Sequence, residues 1–302
     1  MKIFKDPDAL KDIKIESVSV GTFDGVHSGH ITIINELIKS QHSLIITFEP
    51  YPREVLFKDK ENLKRITSLE EKTEILNDLG IENILVLTFD SHLLSMSADD
   101  FIKWALIDHI KPLKVVVGYN HRFGKNGTGN FHSLVNIGKC YGFETIQIPQ
   151  VFVNEIPVSS SLIRTQISNG KVSEASALLG RPYSISSKVI TGNKIGRKLD
   201  YPTANLEIPQ NKLIPKSGVY GVTITYNNQK FIGMASIGQF PTFNKPFGFE
   251  VNIFDFNGDL LNKKLKIEFI FYIRENRKFD SSEQLKLQLD KDKEIARKFF
   301  HI

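Results

Sequence analysis

Two periods of hydrophobicity alternate along the first 150 residues. Short β-branched runs at 15–20, 44–48, 84–89, 114–117 and 144–148 have the composition and length of buried strands. Between them the apolar spacing is helical: over 31–40, after Ser68 with Glu71 three residues on, from near Ser97 through Phe101, Trp104, Ala105 and Asp108, and around 134–141, where Gly142 supplies a stop. Strand–helix alternation of this kind predicts a parallel sheet with helices on both faces. Ligands of such sheets sit where the carboxyl ends of the strands meet the helix starts.

The texture changes further on. Helical patterns at 161–168 and 172–179 end at Gly180-Arg181-Pro182, and strand-like alternation follows at 183–191, 219–226, 230–237, 249–256 and 265–273. Asn227-Asn228 and Asn257-Gly258 read as hairpin turns, and a long amphipathic pattern over 282–300 closes the chain. The second half is therefore expected to be an antiparallel barrel or sandwich with a terminal helix, and the boundary is drawn near Arg181, giving domains 1–181 and 182–302. A length of 302 residues and 41% hydrophobic content suit two domains of ordinary size.

Charge divides unevenly across that boundary. Residues 1–182 carry 20 Lys+Arg against 22 Asp+Glu, whereas residues 183–302 carry 19 against 12. A basic second half suits anionic ligands, but no Lys/Arg block is interleaved with aromatics, which argues against nucleic acid as the partner. The one cysteine, Cys140, cannot form an internal disulfide. No apolar run approaches the ~20 residues of a membrane helix, and the charged start has no signal-peptide core. A soluble cytoplasmic protein is expected, with its oligomeric state left open.

The segment Gly21-Thr22-Phe23-Asp24-Gly25-Val26-His27-Ser28-Gly29-His30 lies between a predicted strand and a predicted helix. Backbone N–H groups and the dipole at a helix start favour anionic oxygens. Gly29 lets a phosphate approach, and His27 and His30 can donate to it from either side. No Gly-Lys-Ser/Thr follows, so this is not a Walker loop, and the dinucleotide fingerprint is absent as well.

This segment resembles the signature of nucleotidyltransferases with a His-x-Gly-His loop, and in its longer form that of the bifunctional prokaryotic riboflavin kinase/FAD synthetase family. Three further pieces stand in that family's order: Thr47-Phe48-Glu49-Pro50-Tyr51-Pro52-Arg53-Glu54, Gly118-Tyr119-Asn120-His121-Arg122-Phe123-Gly124 and Val158-Ser159-Ser160-Ser161-Leu162-Ile163-Arg164. The resemblance implies a Rossmann-like α/β parallel-sheet nucleotidyltransferase domain that adenylylates FMN. In it Gly21, Thr22, Phe23, Gly25, Gly29, Gly118, Ser160 and Ser161 would line the nucleotide site. His27, His30, Asn120 and Arg164 would act on the phosphates. Where the family usually has Asp-Pro-His-Pro this chain reads Glu49-Pro50-Tyr51-Pro52, and Asn120-His121 replaces Asp-Phe or Asn-Phe.

The second half resembles riboflavin kinase through Gly192-Asn193-Lys194-Ile195-Gly196-Arg197, Tyr201-Pro202-Thr203-Ala204-Asn205, Gly218-Val219-Tyr220, Ile237-Gly238-Gln239-Phe240-Pro241-Thr242-Phe243 and Phe249-Glu250-Val251-Asn252. This implies an antiparallel β-barrel riboflavin kinase domain with a C-terminal helix. Thr203 and Asn205 offer hard oxygens suited to Mg²⁺ carrying ATP phosphates. Gly192, Lys194, Gly196, Arg197 and Pro202 would lie against the nucleotide, and Glu250 would take the proton from the riboflavin 5′-hydroxyl. Asp200 stands where the family usually has glycine and would repel a triphosphate unless turned away or paired, for instance with Arg197 or Lys198. Asn252 replaces the usual histidine. The terminal helix is expected mainly to pack on the barrel, the alternative being that Arg274 and Phe279 near its start edge the flavin site.

The expected substrates are thus riboflavin, FMN and ATP, with FMN and FAD as products. Competing readings are a chain with one surviving activity, or a flavin-sensing or RNA-associated regulatory protein on the same folds.

Overall fold

The computed structural model describes residues 1–56, 64–192, 196, 199–240 and 245–302, and the chain divides into two compact units, Met1–Ser160 and Ser161–Ile302. The first unit runs β1 (Lys2–Phe4), β2 (Ser17–Val20), α1 (Ser28–Leu37), β3 (Ser43–Glu49), α2 (Pro52–Leu56), α3 (Leu69–Asp78), β4 (Asn83–Thr88), α4 (Ser91–Ser95), α5 (Ala98–Ile102), β5 (Lys114–Gly118), α6 (Phe131–Tyr141) and β6 (Glu144–Ile148). The pair β7 (Phe152–Val153) and β8 (Ile156–Pro157) follows, and α7 (Ser160–Ser168) leads into the second unit.

The six strands form one sheet in the order β1-β4-β3-β2-β5-β6, every neighbour parallel. Alternation decides which core each side chain joins. Val18, Val20, Leu44, Ile46, Leu85, Leu87, Val115 and Val117 enter one cluster, and the intervening Ile45, Ile84, Val86 and Val116 enter the other. Both faces are covered, which is why β3 and β4 are continuous apolar runs.

Local signals fix the helix ends. Ser68 and Glu71 form a reciprocal capping box on α3, Ser97 caps α5, and Gly142 ends α6 at φ 82°. Beyond α5 the helix widens into a π turn over Lys103–Ile107, which the apolar spacing did not reveal.

The second unit continues through α8 (Val172–Leu179), β9 (Tyr183–Ile190), β10 (Ala204–Leu206), β11 (Gly218–Tyr226), β12 (Gln229–Phe240), β13 (Lys245–Ile253), β14 (Lys264–Arg274) and α9 (Ser282–Phe300). Its six strands close into an antiparallel barrel, β10-β13-β12-β11-β14-β9, so the barrel alternative holds and the sandwich does not. The short β10 was absent from the periodicity because three residues give no alternation to count. Asn227 and Asn228, at φ 48° and 62°, make the expected tight turn. Asn257-Gly258 does not: β13 ends at Ile253 and β14 begins at Lys264, so a longer loop with positive φ at Asp255 and Asn262 joins them.

Helix α8 packs on β9 and β14, with Ser173 Oγ donating to the Ile270 carbonyl and the Tyr183 amide donating to Ser176 Oγ. The geometric division therefore falls at Ser160/Ser161, ahead of the boundary drawn near Arg181 from texture.

Candidate active sites

In the parallel sheet, β2 is flanked by β3 on one side and β5 on the other, and such a reversal of strand order is where open α/β sheets take their ligands. The loop after β2 is Gly21–His30 and the loop after β5 holds Asn120. The fold thus brings both to the same switch point.

The β2–α1 loop is held in a costly shape. Phe23, Gly25 and Val26 take φ of 47°, 84° and 39°. For non-glycine residues such conformations cost on the order of 1–3 kcal/mol each and persist only when the surroundings over-determine them. Phe23 and Val26 are 2% and 0% exposed and belong to the core. The buried Asp24 carboxylate accepts from the Ile66 and Thr67 amides at 3.0 and 3.2 Å. The Gly25 amide donates to Thr67 Oγ1, and Ser160 Oγ donates to the Asp24 carbonyl, both at 3.0 Å.

At the far end of the loop, His27 caps α1. Its Nδ1 accepts from the His30 amide at 3.4 Å, which places the imidazole proton on Nε2 and leaves that nitrogen a donor. The His27 and His30 rings stack at 3.7 Å and 14°. Gly29 makes room for them, since a Cβ there would lie 3.3 Å from the His27 ring. The His-x-Gly-His spacing therefore produces a pair of parallel imidazoles at a helix start, where a polyanion is favoured.

Asn120 is exposed on a turn closed by the His121 amide on the Gly118 carbonyl, and the His121 ring stacks on Phe123. Ser161 and Arg164 stand in the first turns of α7, Arg164 four residues after Ser160.

Sequence reasoning missed a buried polar cluster beneath this loop. Lys72, 0% exposed on α3, donates to the Thr22 carbonyl at 2.7 Å and to Thr47 Oγ1 at 3.0 Å. Tyr51 lies beside it, 5% exposed, its hydroxyl bonded to the Thr67 carbonyl at 3.3 Å, with the Lys72 ammonium and the Arg65 guanidinium each 4.4 Å from its ring centroid. Arg65 in turn is gripped by Glu54 and Glu49. The phenol that replaces the family's imidazole is thus part of the packing under the loop. One signal for Lys72 was available: it sits one turn before Leu76, on the apolar face of α3, where a lysine is out of pattern.

In the second unit, Asn205 lies directly opposite Glu250 across β10 and β13, and Thr203 Oγ1 is 3.2 Å from Glu250 Oε2. Two glycines bring the preceding segment against these residues. A Cβ on Gly192 would lie 2.1 Å from Asn205 Nδ2, and one on Gly196 would lie 2.1 Å from the Tyr201 carbonyl and 3.2 Å from Thr203 Oγ1. Lys194, Arg197 and Lys198 lie outside the described residues, as do Pro241, Thr242 and Phe243. A cavity of about 370 Å³ opens here, lined by Gly192, Pro202, Thr203, Asn205 and the apolar Val251 and Phe256.

Of the family departures, Asp200 pairs with Lys286 of α9 at 2.6 Å, and that ammonium holds its carboxyl below the usual range. Its φ of 62° explains why glycine is common at this position. Asn252 Nδ2 donates to the Pro202 carbonyl at 2.7 Å, so it braces the segment that carries Thr203 into β10. Arg274 is engaged by Asp292, with Nε 2.9 Å from both carboxylate oxygens and Nη2 2.7 Å from one, while its guanidinium carbon lies 5.7 Å from the centroid of the Phe279 ring.

The first unit is thus a parallel sheet with a pair of imidazoles at a helix start, and the second a barrel whose mouth gathers a hydroxyl, a carboxamide and a carboxylate. A family model for FAD synthetase matches residues 10–162 and one for riboflavin kinase matches residues 179–300. A bifunctional riboflavin kinase/FMN adenylyltransferase of Buchnera aphidicola is 39% identical over 100% of both chains, and that of Bacillus subtilis is 35% identical over 96% of this chain and 95% of its own. The chain belongs to the bifunctional riboflavin kinase/FMN adenylyltransferase family and carries both of its enzyme domains.

A solved Streptococcus pneumoniae structure, described as a macrolide-efflux protein, shares the fold with TM-score 0.88 and 32% identity over 98% of each chain. Among the described residues, no helix of the present chain is long and apolar enough to cross a membrane.

Proposed function

We propose that the barrel domain phosphorylates riboflavin and the sheet domain adenylylates the resulting FMN, each with ATP and Mg²⁺, in the cytoplasm. The observation that carries this reading is the convergence of Thr203, Asn205 and Glu250 at one barrel mouth while His27, Gly29 and His30 share one helix start in the other unit.

At the barrel, Glu250 takes the proton from the riboflavin 5′-hydroxyl as its oxygen attacks the γ-phosphorus of ATP, the bond to the β,γ-bridging oxygen breaks and ADP leaves. Gly192 and Gly196 let the preceding segment lie close to the nucleotide, and Pro202 fixes the approach to Thr203. Among the described residues no three His, Cys, Asp or Glu side chains gather into a metal cage. A hydroxyl, a carboxamide oxygen and a carboxylate are nevertheless hard oxygens of the kind that hold Mg²⁺ together with substrate phosphates, so Thr203 and Asn205 fit the ion. When bound, Mg²⁺ would neutralise charge on the transferring phosphates.

At the sheet, an FMN phosphate oxygen attacks the α-phosphorus of ATP and pyrophosphate departs, so no protein nucleophile is needed. The work is positioning and charge stabilisation. His27 donates from Nε2, His30 flanks the same phosphates, and Gly21, Thr22, Phe23, Gly25, Gly29 and Gly118 shape the backbone around them. Ser160 and Ser161 add donors, Arg164 meets the departing pyrophosphate, and Asn120 bonds the reacting phosphate.

Incubation of the protein with riboflavin, ATP and Mg²⁺, followed by chromatography of the flavins, tests both halves. FMN and then FAD are expected. FMN alone would mean an inactive first domain, and no product would overturn the reading.

A further inference from the structure

We propose that Lys72 is a positioning residue for adenylyl transfer: its buried ammonium grips the Thr22 carbonyl and keeps the Gly21–His30 loop in the shape that presents His27, Gly29 and His30. The inference rests on the reading of the first domain as the adenylyltransferase.

A fully buried lysine is costly unless it is paired and hydrogen-bonded. Lys72 is served by two oxygens, Thr22 O at 2.7 Å and Thr47 Oγ1 at 3.0 Å, and by the face of Tyr51. Thr47 Oγ1 itself donates to Thr22 O at 3.3 Å, so one loop carbonyl receives both groups. That carbonyl immediately precedes Phe23, the first residue of the left-handed turn. On the other side of the turn, Asp24 and Gly25 are held by the Ile66–Thr67 segment. The loop is therefore clamped from two directions, with the ammonium as a charged donor to one of its backbone carbonyls. Helix α3 supplies that donor from a rigid scaffold, with its start fixed by the Ser68–Glu71 capping box.

The charges facing Lys72 come from several elements: Asp24 on the loop, Glu49 on β3, Glu54 on α2 and Arg65 ahead of α3. Burial, which outweighs the pull of the three carboxylates, lowers its pKa to about 8. A neutral amine still donates, but without the charge assistance that makes such a bond roughly twice as strong. Adenylyl transfer should therefore weaken as pH rises through about 8. Unfolding driven by Lys72 cannot be the cause. Between that value and the ordinary lysine range the unfolded chain binds more protons than the folded one, so this group's contribution to stability rises with pH.

The full-length chain is assayed from pH 6 to 10 for FAD formation from supplied FMN, with riboflavin phosphorylation as an internal control. Three variants are compared: Lys72→Met, Lys72→Arg and Thr47→Val. A 1 Å displacement of a reacting group costs on the order of 100-fold. Lys72→Met is expected to lower kcat for FAD formation about ten- to hundred-fold with little change in the KM for FMN, and to lose the decline above pH 8. Lys72→Arg, whose guanidinium stays charged, should recover much of the rate and carry it to higher pH.

Wild-type kcat in Lys72→Met, a wild-type alkaline decline in Lys72→Arg, or no decline in the wild type would each overturn the proposal. Should neither Lys72 variant fold, Thr47→Val decides, because it removes one contact to the ammonium and one to Thr22 O. A several-fold loss of kcat supports the clamp and an unchanged kcat overturns it. Failure of the wild type to make FAD at any pH would instead overturn the reading of the domain.

Discussion

Glu250 sits where one carboxylate can serve two neighbours. Its Oε2 meets the Thr203 hydroxyl at 3.2 Å, and the residue faces Asn205 across the barrel seam. If the hydroxyl donates to the carboxylate, the lone pairs of Thr203 stay available for a cation. Glu250→Gln keeps the shape and removes the base, so FMN formation should fall by about 10²–10⁴-fold while FAD formation from supplied FMN continues. Separate assays of the two steps on one preparation check this, and equal loss of both in a folded variant would refute the assignment. At this scale Thr203, Asn205 and Glu250 were legible through the family motifs that carry them and not through their contact, since Thr203 and Glu250 lie 47 residues apart. Lys72 was not legible. Its partners Thr22 and Thr47 lie far away along the chain, and nothing in the local pattern of α3 says which carbonyl a buried lysine will meet. The same holds for Tyr51, whose burial against Thr67 depends on a segment that no periodicity describes.

Helices and strands transmit these positions. Helix α9 is fastened to the barrel by apolar packing, with Phe299 stacked on Phe271 at 4.1 Å, and by Arg274 reaching the fully buried Asp292. Its outer contacts, Tyr201 OH to Asp290 and Lys286 to Asp200, reach the segment just before Pro202 and Thr203. The exposed Lys286–Asp200 pair contributes little to stability. The Arg274–Asp292 pair is different in kind, since removing one partner strands a buried charge. Arg274→Met should lower barrel stability by about 3–5 kcal/mol in urea unfolding, whereas Lys286→Met should leave it little changed. Similar losses in the two variants would contradict the distinction. Most elements were legible to within a few residues because capping residues and terminal glycines mark their ends. The exceptions, β1, α2, α4, the β7–β8 pair, β10, the π turn after α5 and the long β13–β14 loop, are short or irregular pieces set by closure and packing, which a local period does not carry.

Over the whole chain, the change from strand–helix alternation to strand–strand alternation separated the two folds in the sequence. Helices α7 and α8 continue the helical texture of the first half, and most of their residues fall in the second compact unit. Val172, Ala175, Leu178 and Leu179 are buried, and α8 lies on β9 and β14. Each fully buried Val or Leu contributes about 1.5–3 kcal/mol. Every described residue assigned to the kinase, from Gly192 to Glu250, lies beyond Arg181, so fragments 161–302 and 181–302 should both phosphorylate riboflavin. The shorter one, stripped of α8, should melt at a clearly lower temperature. The reciprocal pieces divide differently: 1–180 retains His27, His30, Asn120 and Arg164, whereas 1–160 lacks Arg164. The longer piece should convert FMN to FAD, and the shorter should bind ATP yet turn over poorly if Arg164 meets the pyrophosphate. Expressing the four fragments, recording their thermal unfolding and following flavin products decides each point. Equal melting temperatures for the two barrel fragments would show that α8 adds nothing to the barrel. Kinase activity that returns only when the halves are mixed would show a site shared between domains, contrary to the assignment of Thr203, Asn205 and Glu250 to the barrel alone.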